Sequence, residues 1–318
     1  MKKKFRSILE LFERFLLAEL VWLTTKYLRR SKNYPELKPI RWVFRKNLEM
    51  LVTRLKIVRT DNSFANESEN IERTLREIGV SDKYLVDIGA ADGIRQSSTS
   101  LFLNKLGWTG ALFEFNSESF SRLSFLYSDR DDLQLCKTKV TPENVTALFQ
   151  GMGIPREFGY LNIDIDSYDL SVLRSLLGNG FRPSLISMEV NESFPPDIHF
   201  EVLYSNSHSW TGDHFFGCSL AAANYCLNGY GYILACMEYN NATFVLEEFS
   251  PRIQQPGNLV DLYENGYRNK TNRKELFPWN ADMEFMQSNI STQEKIAAID
   301  KLFSDYKGKY LIKGTVGS

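Results

Sequence analysis

Residues 84–93, Tyr-Leu-Val-Asp-Ile-Gly-Ala-Ala-Asp-Gly, join an apolar run to a turn with little side-chain bulk. Gly89, Ala90 and Ala91 make a tight bend that lets a backbone come close to a ligand, which a bulky Cβ substituent would prevent, and Gly93 just beyond is a further cofactor-binding candidate. Phosphate-cradling loops avoid carboxylates and hold the anion on a helix N-terminus. Asp87 and Asp92 beside this turn therefore point to a cationic or polyhydroxylated ligand. S-adenosylmethionine, with its ammonium, sulfonium and ribose hydroxyls, is such a ligand. A second apolar run, Ala-Leu-Phe-Glu-Phe-Asn, ends in Glu114 and Asn116, and Glu114 stands 27 positions after Asp87. In doubly wound α/β folds an acid at that place binds ribose hydroxyls. An ordinary strand–turn–helix would account for the decapeptide alone, but not for the strand-end acid that follows it.

A second set of acids lies further on. Asp164 and Asp166 follow the apolar run Tyr160–Ile163, and Glu189 and Asn191 follow Ser184–Met188. Strand alternation predicts that each pair shares a face, and ligands in open α/β sheets bind beyond the carboxyl ends of the strands. Three chemistries could use these groups. A carboxylate could take a proton from an acceptor hydroxyl. Asp164, Asp166, Glu189 and Asn191 could hold Mg²⁺, a hard cation that orients two oxygens and lowers a hydroxyl pKa. The acids could also simply hydrogen-bond sugar hydroxyls. Asp169 fits the cap of the helix that follows. His208 and His214 lie in the aromatic and polar stretch 204–216, suited to an acceptor lid, and His214 joins Asp164, Asp166 and Glu189 as a catalytic candidate.

Positioning these residues needs a sheet. Apolar runs at 84–89, 111–115, 133–140, 160–166 and 184–190 alternate with helical ones, which predicts a parallel sheet covered by helices on both faces. Residues 94–106 fit a crossover helix and 220–227 another. Tyr232–Met237 and Ala242–Leu246, joined through an Asn-Asn turn, predict an antiparallel edge hairpin. The fold expected is α/β, a Rossmann-like class I methyltransferase sheet, mostly parallel with that hairpin at its edge. After 250 the chain is polar and Asn-rich, an irregular extension with one helix around 292–305.

The chain has 318 residues and a net charge of −1. Residues 1–60 hold 16 Lys/Arg against 5 Asp/Glu, a balance of +11, so the remainder carries −12. Phe5, Ile8, Leu9, Phe12, Leu16, Leu20, Leu23 and Tyr27 recur at helical spacing in this arm. Glu10, Glu13 and Glu19 interrupt any run long enough to span a membrane or serve as a signal peptide. The arm suits a peripheral contact with anionic lipid on the inner face of a membrane, or a protein contact. No zinc-finger, RNA-recognition or recognition-helix signature follows, so no nucleic acid is expected. Four cysteines without metal or CxxC spacing fit reduced, cytoplasmic thiols. The organisation expected is a basic helical arm at 1–60, a linker and lead-in helix at 61–83, the sheet domain at 84–250, and an extension at 251–318.

Residues 84–250 resemble the FkbM-like family of S-adenosylmethionine-dependent methyltransferases. The resemblance rests on LVDIGAADGIRQSST, GWTGALFEFNSESFSRL, TPENVTALF, YLNIDIDSYDLSVL, SLISMEVN, FFGCSLAAANYCLNGYGYIL and NNATFVLEE, in that order and spacing. It implies that Asp87, Gly89 and Asp92 line the methionine end of the cofactor, that Glu114 holds the ribose, and that Asp164 and Asp166 lie near the transferable methyl. It also implies acceptors that are hydroxyls of sugars or polyketide-like products. Ser167 stands where the family usually has Gly, and Gly217-Cys218-Ser219-Leu220 where it usually has Gly-Ala-Ser-Leu, so that Cys218 replaces an alanine. The Asp164/Asp166 pair is also similar to that of macrocin-type sugar O-methyltransferases, which use a divalent metal.

The expectation is therefore an S-adenosylmethionine-dependent O-methyltransferase acting on a small-molecule or glycan hydroxyl. A catalytically silent module that binds the cofactor or a glycan within a membrane-associated polysaccharide assembly is the alternative, favoured by the basic arm. A nicotinamide dehydrogenase fits less well, because the turn lacks a third-glycine helix start and carries an acid at 92.

Overall fold

The computed structural model describes residues 63–253 and 257–315. The basic arm, and every expectation placed on it, lies outside the described residues. Among those residues no helix is long and apolar enough to cross a membrane.

A helix, α1 (Glu67–Ile78), leads into β1 (Tyr84–Ile88). The chain then alternates: α2 (Ser100–Lys105), β2 (Thr109–Glu114), α3 (Ser117–Leu126), β3 (Leu133–Lys137), α4 (Val145–Gly151), β4 (Glu157–Ile163), α5 (Asp169–Gly178) and β5 (Arg182–Glu189). A short strand, β6 (Ile198–Val202), precedes α6 (Leu220–Asn228), β7 (Tyr232–Glu238) and β8 (Asn241–Leu246). The sheet has seven strands in the order β3-β2-β1-β4-β5-β8-β7. Pairing is parallel from β3 through β5, and β8 runs antiparallel to both β5 and β7. This is the mostly parallel Rossmann-like sheet with an antiparallel edge hairpin that the apolar runs predict.

The sheet is buried on both faces, which is why its strands are apolar on successive residues. Val86 and Ile88 of β1 join one core while Leu85, just before them, joins the other, and Phe113 and Leu112 of β2 divide the same way. Phe149 of α4 is fully buried and stacks on Phe113 with ring centroids 5.7 Å apart. Truncating such a side chain to alanine costs about 3–5 kcal/mol. The crossover helix α2 is shorter than the expected 94–106, because residues 90–99 form hydrogen-bonded turns around the site before the helix begins.

After β8 come a 3₁₀ segment (Glu247–Arg252), α7 (Leu259–Tyr263), α8 (Arg273–Leu276), a 3₁₀ segment (Pro278–Gln287), α9 (Thr292–Leu302) and β9 (Tyr310–Gly314). Ser291 and Glu294 form a capping box that starts α9. β9 pairs antiparallel with β6, Phe200 opposite Ile312, in a separate two-stranded ribbon. A third core of Phe194, Phe200, Phe215, Met283, Met286, Ile299 and Phe303 binds the ribbon to the last helices. The extension thus returns to the carboxyl end of the sheet, where β1, β2, β4 and β5 stop.

Candidate functional site

The site begins where β1 turns away from the sheet. Gly89 has φ +99°, and a Cβ there would sit 1.8 Å from the Asp164 carbonyl oxygen. Only glycine fits this crossing of the β1 and β4 ends. Gly89 and Ala90 both donate their N–H to the Phe113 carbonyl, at 3.0 Å each, which ties the turn to β2. Gly93 also has positive φ, +75°, and faces Leu123 of α3. Ala90 is buried in the core.

The acids of this turn differ in what they do. Asp87 is buried beneath the turn, accepting from Thr99 Oγ1 at 2.6 Å and Asn162 Nδ2 at 2.9 Å. Burial pushes its pKa up to about 6; the two hydrogen bonds oppose that rise and Glu114 adds to it. Asp92 is also buried and accepts from the backbone N–H groups of Ile94 (3.1 Å) and Arg95 (3.0 Å). Both carboxylates therefore shape the turn, and neither is among the residues lining the cavity above it. Glu114 does line that cavity. Its Oε2 accepts from Ala91 N at 2.8 Å and its Oε1 from Asn116 N, which fixes the carboxylate at the strand end. Asn116 caps α3, its side chain accepting from Glu118 N and Ser119 N.

The cavity over Gly89 and Glu114 measures about 370 Å³, within the range of small-molecule sites. Its far wall contains Asp164, Asp166, Ser167 and Tyr168, and His208–Trp210 come in from the 204–216 stretch. Lys139 pins that stretch by donating to the carbonyls of Asn206 (2.8 Å) and His208 (3.3 Å). A second cavity, of about 630 Å³, opens toward the carboxyl-terminal helices, with Glu189, Glu192, Trp210, His214, Trp279 and Tyr306 in its wall. Asp166 and Trp210 line both.

Between the two cavities stand three acids. Asp164, Asp166 and Glu189 each bring a carboxylate oxygen to within 4.8 Å of the others. Strand alternation does not place the first two, since β4 ends at Ile163 and both aspartates lie in the loop beyond. Asp166 has φ +52°, a left-handed conformation uncommon outside glycine, and such strain is held by its surroundings. Here Asp169 supplies the restraint. Its buried carboxylate accepts from Ile165 N (2.8 Å) and Ser167 N (3.0 Å), so it folds this loop at the start of α5. Burial, and then the charges of Asp166 and Asp169, hold the Asp164 carboxyl well above the usual carboxylate range. Burial raises Glu189 well above that range as well, followed by the charges of Asp164 and Asp166. Asp166 rises by burial, against the opposing effect of its hydrogen bond with Glu189. Asn240 donates to Glu189 Oε1 at 2.8 Å.

Asn191 does not join this group as a ligand. Its amide nitrogen donates to the carbonyls of His214 (3.0 Å) and Phe216 (3.3 Å), and its oxygen accepts from Ser193 N (3.4 Å). It is fully buried and holds the 214–216 strap in place. His214 reaches the second cavity, where Nε2 pairs with Asp282 Oδ1 at 2.9 Å.

Sequence reasoning did not single out Glu192, and it met His208 only as a lid histidine and Ser167 only as a departure from the family pattern. Ser167 Oγ and His208 Nε2 are buried atoms without a protein partner, and both residues line the first cavity. A ligand with donors and acceptors would satisfy them. Three hard oxygens in a compact, like-charged group likewise suit a divalent cation. The residues therefore fit both groups considered from the sequence.

No family model and no curated protein matches the chain. Solved structures with a similar course are methyltransferases. The N-terminal domain of EvdMO1 with SAH bound is 10% identical over 57% of this chain and 80% of that one, at TM-score 0.38. An S-adenosylmethionine-dependent methyltransferase from Clostridium acetobutylicum is 8% identical over 63% and 98%, at 0.39. SAH-bound PaMTH1 from Podospora anserina is 12% identical over 62% and 85%, at 0.38. Likeness at this level assigns no role to any residue.

Proposed function

We propose that the protein transfers a methyl group from S-adenosylmethionine to a hydroxyl of a sugar or similar polyhydroxylated acceptor. The observation that carries the reading is the meeting of two cavities at Asp166, one over a glycine turn and strand-end acid, the other walled by aromatic rings and carboxylates. When bound, the cofactor supplies an electrophilic methyl on a sulfonium. The protein's part is alignment. Gly89 admits the cofactor against bare backbone, and Glu114 accepts from its ribose hydroxyls. Ser167 and His208 supply the remaining polar contacts. The loop held by Asp169 sets Asp166 where the acceptor oxygen must face the methyl in line.

A neutral hydroxyl is a poor nucleophile. A carboxylate with raised pKa is a stronger base than one in water, and Asp166, hydrogen-bonded to Glu189, receives the hydroxyl proton. Asp164, Asp166 and Glu189 would hold Mg²⁺, whose charge would lower the hydroxyl pKa. In the same reading residues 84–250 are an FkbM-like catalytic unit in the cytoplasm, and the arm at 1–60 rests on an anionic membrane surface or a protein partner. Co-sedimentation with anionic lipid vesicles, with and without residues 1–60, separates those two contacts.

Calorimetry of S-adenosylmethionine binding to wild type and Glu114→Ala tests the core of the proposal, with NAD as control. Micromolar binding weakened at least tenfold in the variant is expected. A folded protein that binds NAD and not S-adenosylmethionine would overturn it.

A further inference from the structure

The wall of the second cavity contains carboxylates from Asp166, Glu189, Glu192, Asp213 and Asp282, and no Lys or Arg among the described residues. Four of them have partners within the wall: Asp282 pairs with His214, Asp213 accepts from the Tyr306 hydroxyl, Glu189 accepts from Asn240, and Asp166 shares a hydrogen bond with Glu189. Glu192 differs. It is 2% exposed, its Oε1 is bonded to Asn280 Nδ2, and its Oε2 is buried without any protein partner. A buried carboxylate oxygen left unpaired is costly, and a donor bearing positive charge satisfies it best. Trp210 and Trp279 line the same cavity and are 43% and 58% exposed, so aromatic faces are open to an incoming ligand. Indole faces attract cations and also stack on sugar rings. A phosphate or uronate would meet carboxylates with no basic side chain to receive it.

We infer that the second cavity selects an amino sugar, with the ammonium held at Glu192 Oε2 and the ring against Trp210 and Trp279. This rests on the methyl-transfer reading and names its acceptor class. One hydroxyl of the bound sugar is then presented to Asp166, the carboxylate common to both cavities.

The test compares methyl glucosaminide, methyl glucoside and methyl glucuronide by tryptophan fluorescence and calorimetry on the full chain, with S-adenosylmethionine binding measured on the same samples. The glucosaminide should bind about tenfold tighter than the glucoside, and the glucuronide more weakly than either. Glu192→Gln, which keeps the bond to Asn280, should abolish the preference while leaving S-adenosylmethionine binding intact. Trp279→Ala, at an exposed position, should weaken the glucosaminide about five- to tenfold even if the glutamine variant proves unstable. Equal or tighter binding of the glucoside or glucuronide, no binding of any probe, or a preference surviving in Glu192→Gln would overturn the inference. Amino-sugar preference without S-adenosylmethionine binding would uphold the cavity assignment and remove methyl transfer. Cofactor binding without the preference would do the reverse.

Discussion

Gly89→Ala is the most direct probe of the β1–β4 crossing. The new Cβ would lie 1.8 Å from the Asp164 carbonyl oxygen and 2.7 Å from its carbon, a clash with backbone that cannot rotate away. Holding an L-residue at φ +99° costs roughly 1–2 kcal/mol. Relieving the clash moves the two strand ends apart and lengthens the 2.9 Å bond from Asp164 N to Ile88 O, about 1 kcal/mol. The overpacked neighbours add about 1–3 kcal/mol. The total, roughly 3–6 kcal/mol, is a large part of the ~5–15 kcal/mol that holds a typical domain together. Urea unfolding followed by fluorescence measures it, and calorimetry on the folded fraction should show loss of S-adenosylmethionine binding. Gly151→Ala is the control: this glycine ends α4, and its added Cβ would meet nothing within 4 Å, so a gain of up to about 1 kcal/mol is expected. A Gly89→Ala protein destabilised by less than about 1 kcal/mol, with cofactor binding intact, would refute the geometry of the turn.

Asp166→Asn should lower turnover at least a hundredfold while changing S-adenosylmethionine affinity less than threefold, read by labelled-methyl transfer and calorimetry; equal loss in both would assign Asp166 to cofactor binding. Stability should fall as pH rises from about 5 to about 7.5. A carboxyl whose pKa is raised on folding favours the folded state below its unfolded value and loses that contribution as pH climbs through its folded value. Asp87 and Asp169 titrate at about 6 and Glu192 at about 7, and they outweigh His199 and His208, whose lowered values act oppositely. A urea midpoint that climbs over that window would contradict this balance. Millimolar Mg²⁺ should raise the melting temperature by a few degrees at neutral pH, and Glu189→Gln should abolish the rise; an equal rise in the variant would place the ion elsewhere.

The sheet was legible because buried parallel strands are short apolar runs bounded by glycine turns, and β1, β2, β4 and β5 announce themselves that way. β9 did not. Its five residues, Tyr310–Gly314, follow a polar stretch, and their partner β6 lies more than a hundred positions earlier. The convergence of Asp164, Asp166 and Glu189 was readable, since strand ends in such sheets share an edge. The inward direction of Asp87 and Asp92 was harder to see, although the Ser97–Ser100 run just after the turn supplies the hydroxyl donor that Asp87 uses. Glu192 with Asn280 was hidden altogether, because 88 positions separate a pair that only tertiary packing brings together.

The ribbon of β6 and β9 also bears on the order of assembly. Phe215 stacks on Tyr306 with centroids 3.9 Å apart, and Leu203 N donates to Lys309 O at 2.8 Å, so the strap over the cavities leans on residues beyond 305. A chain emerging from its N-terminus can complete the seven-stranded sheet as soon as residue 246 is free. During the synthesis of the next sixty residues it carries a finished sheet on which the second cavity still lacks Trp279, Asp282, Phe303 and Tyr306. The second cavity is thereby the last part of the site to form, completed by the late arrival of one aromatic ring and one strand.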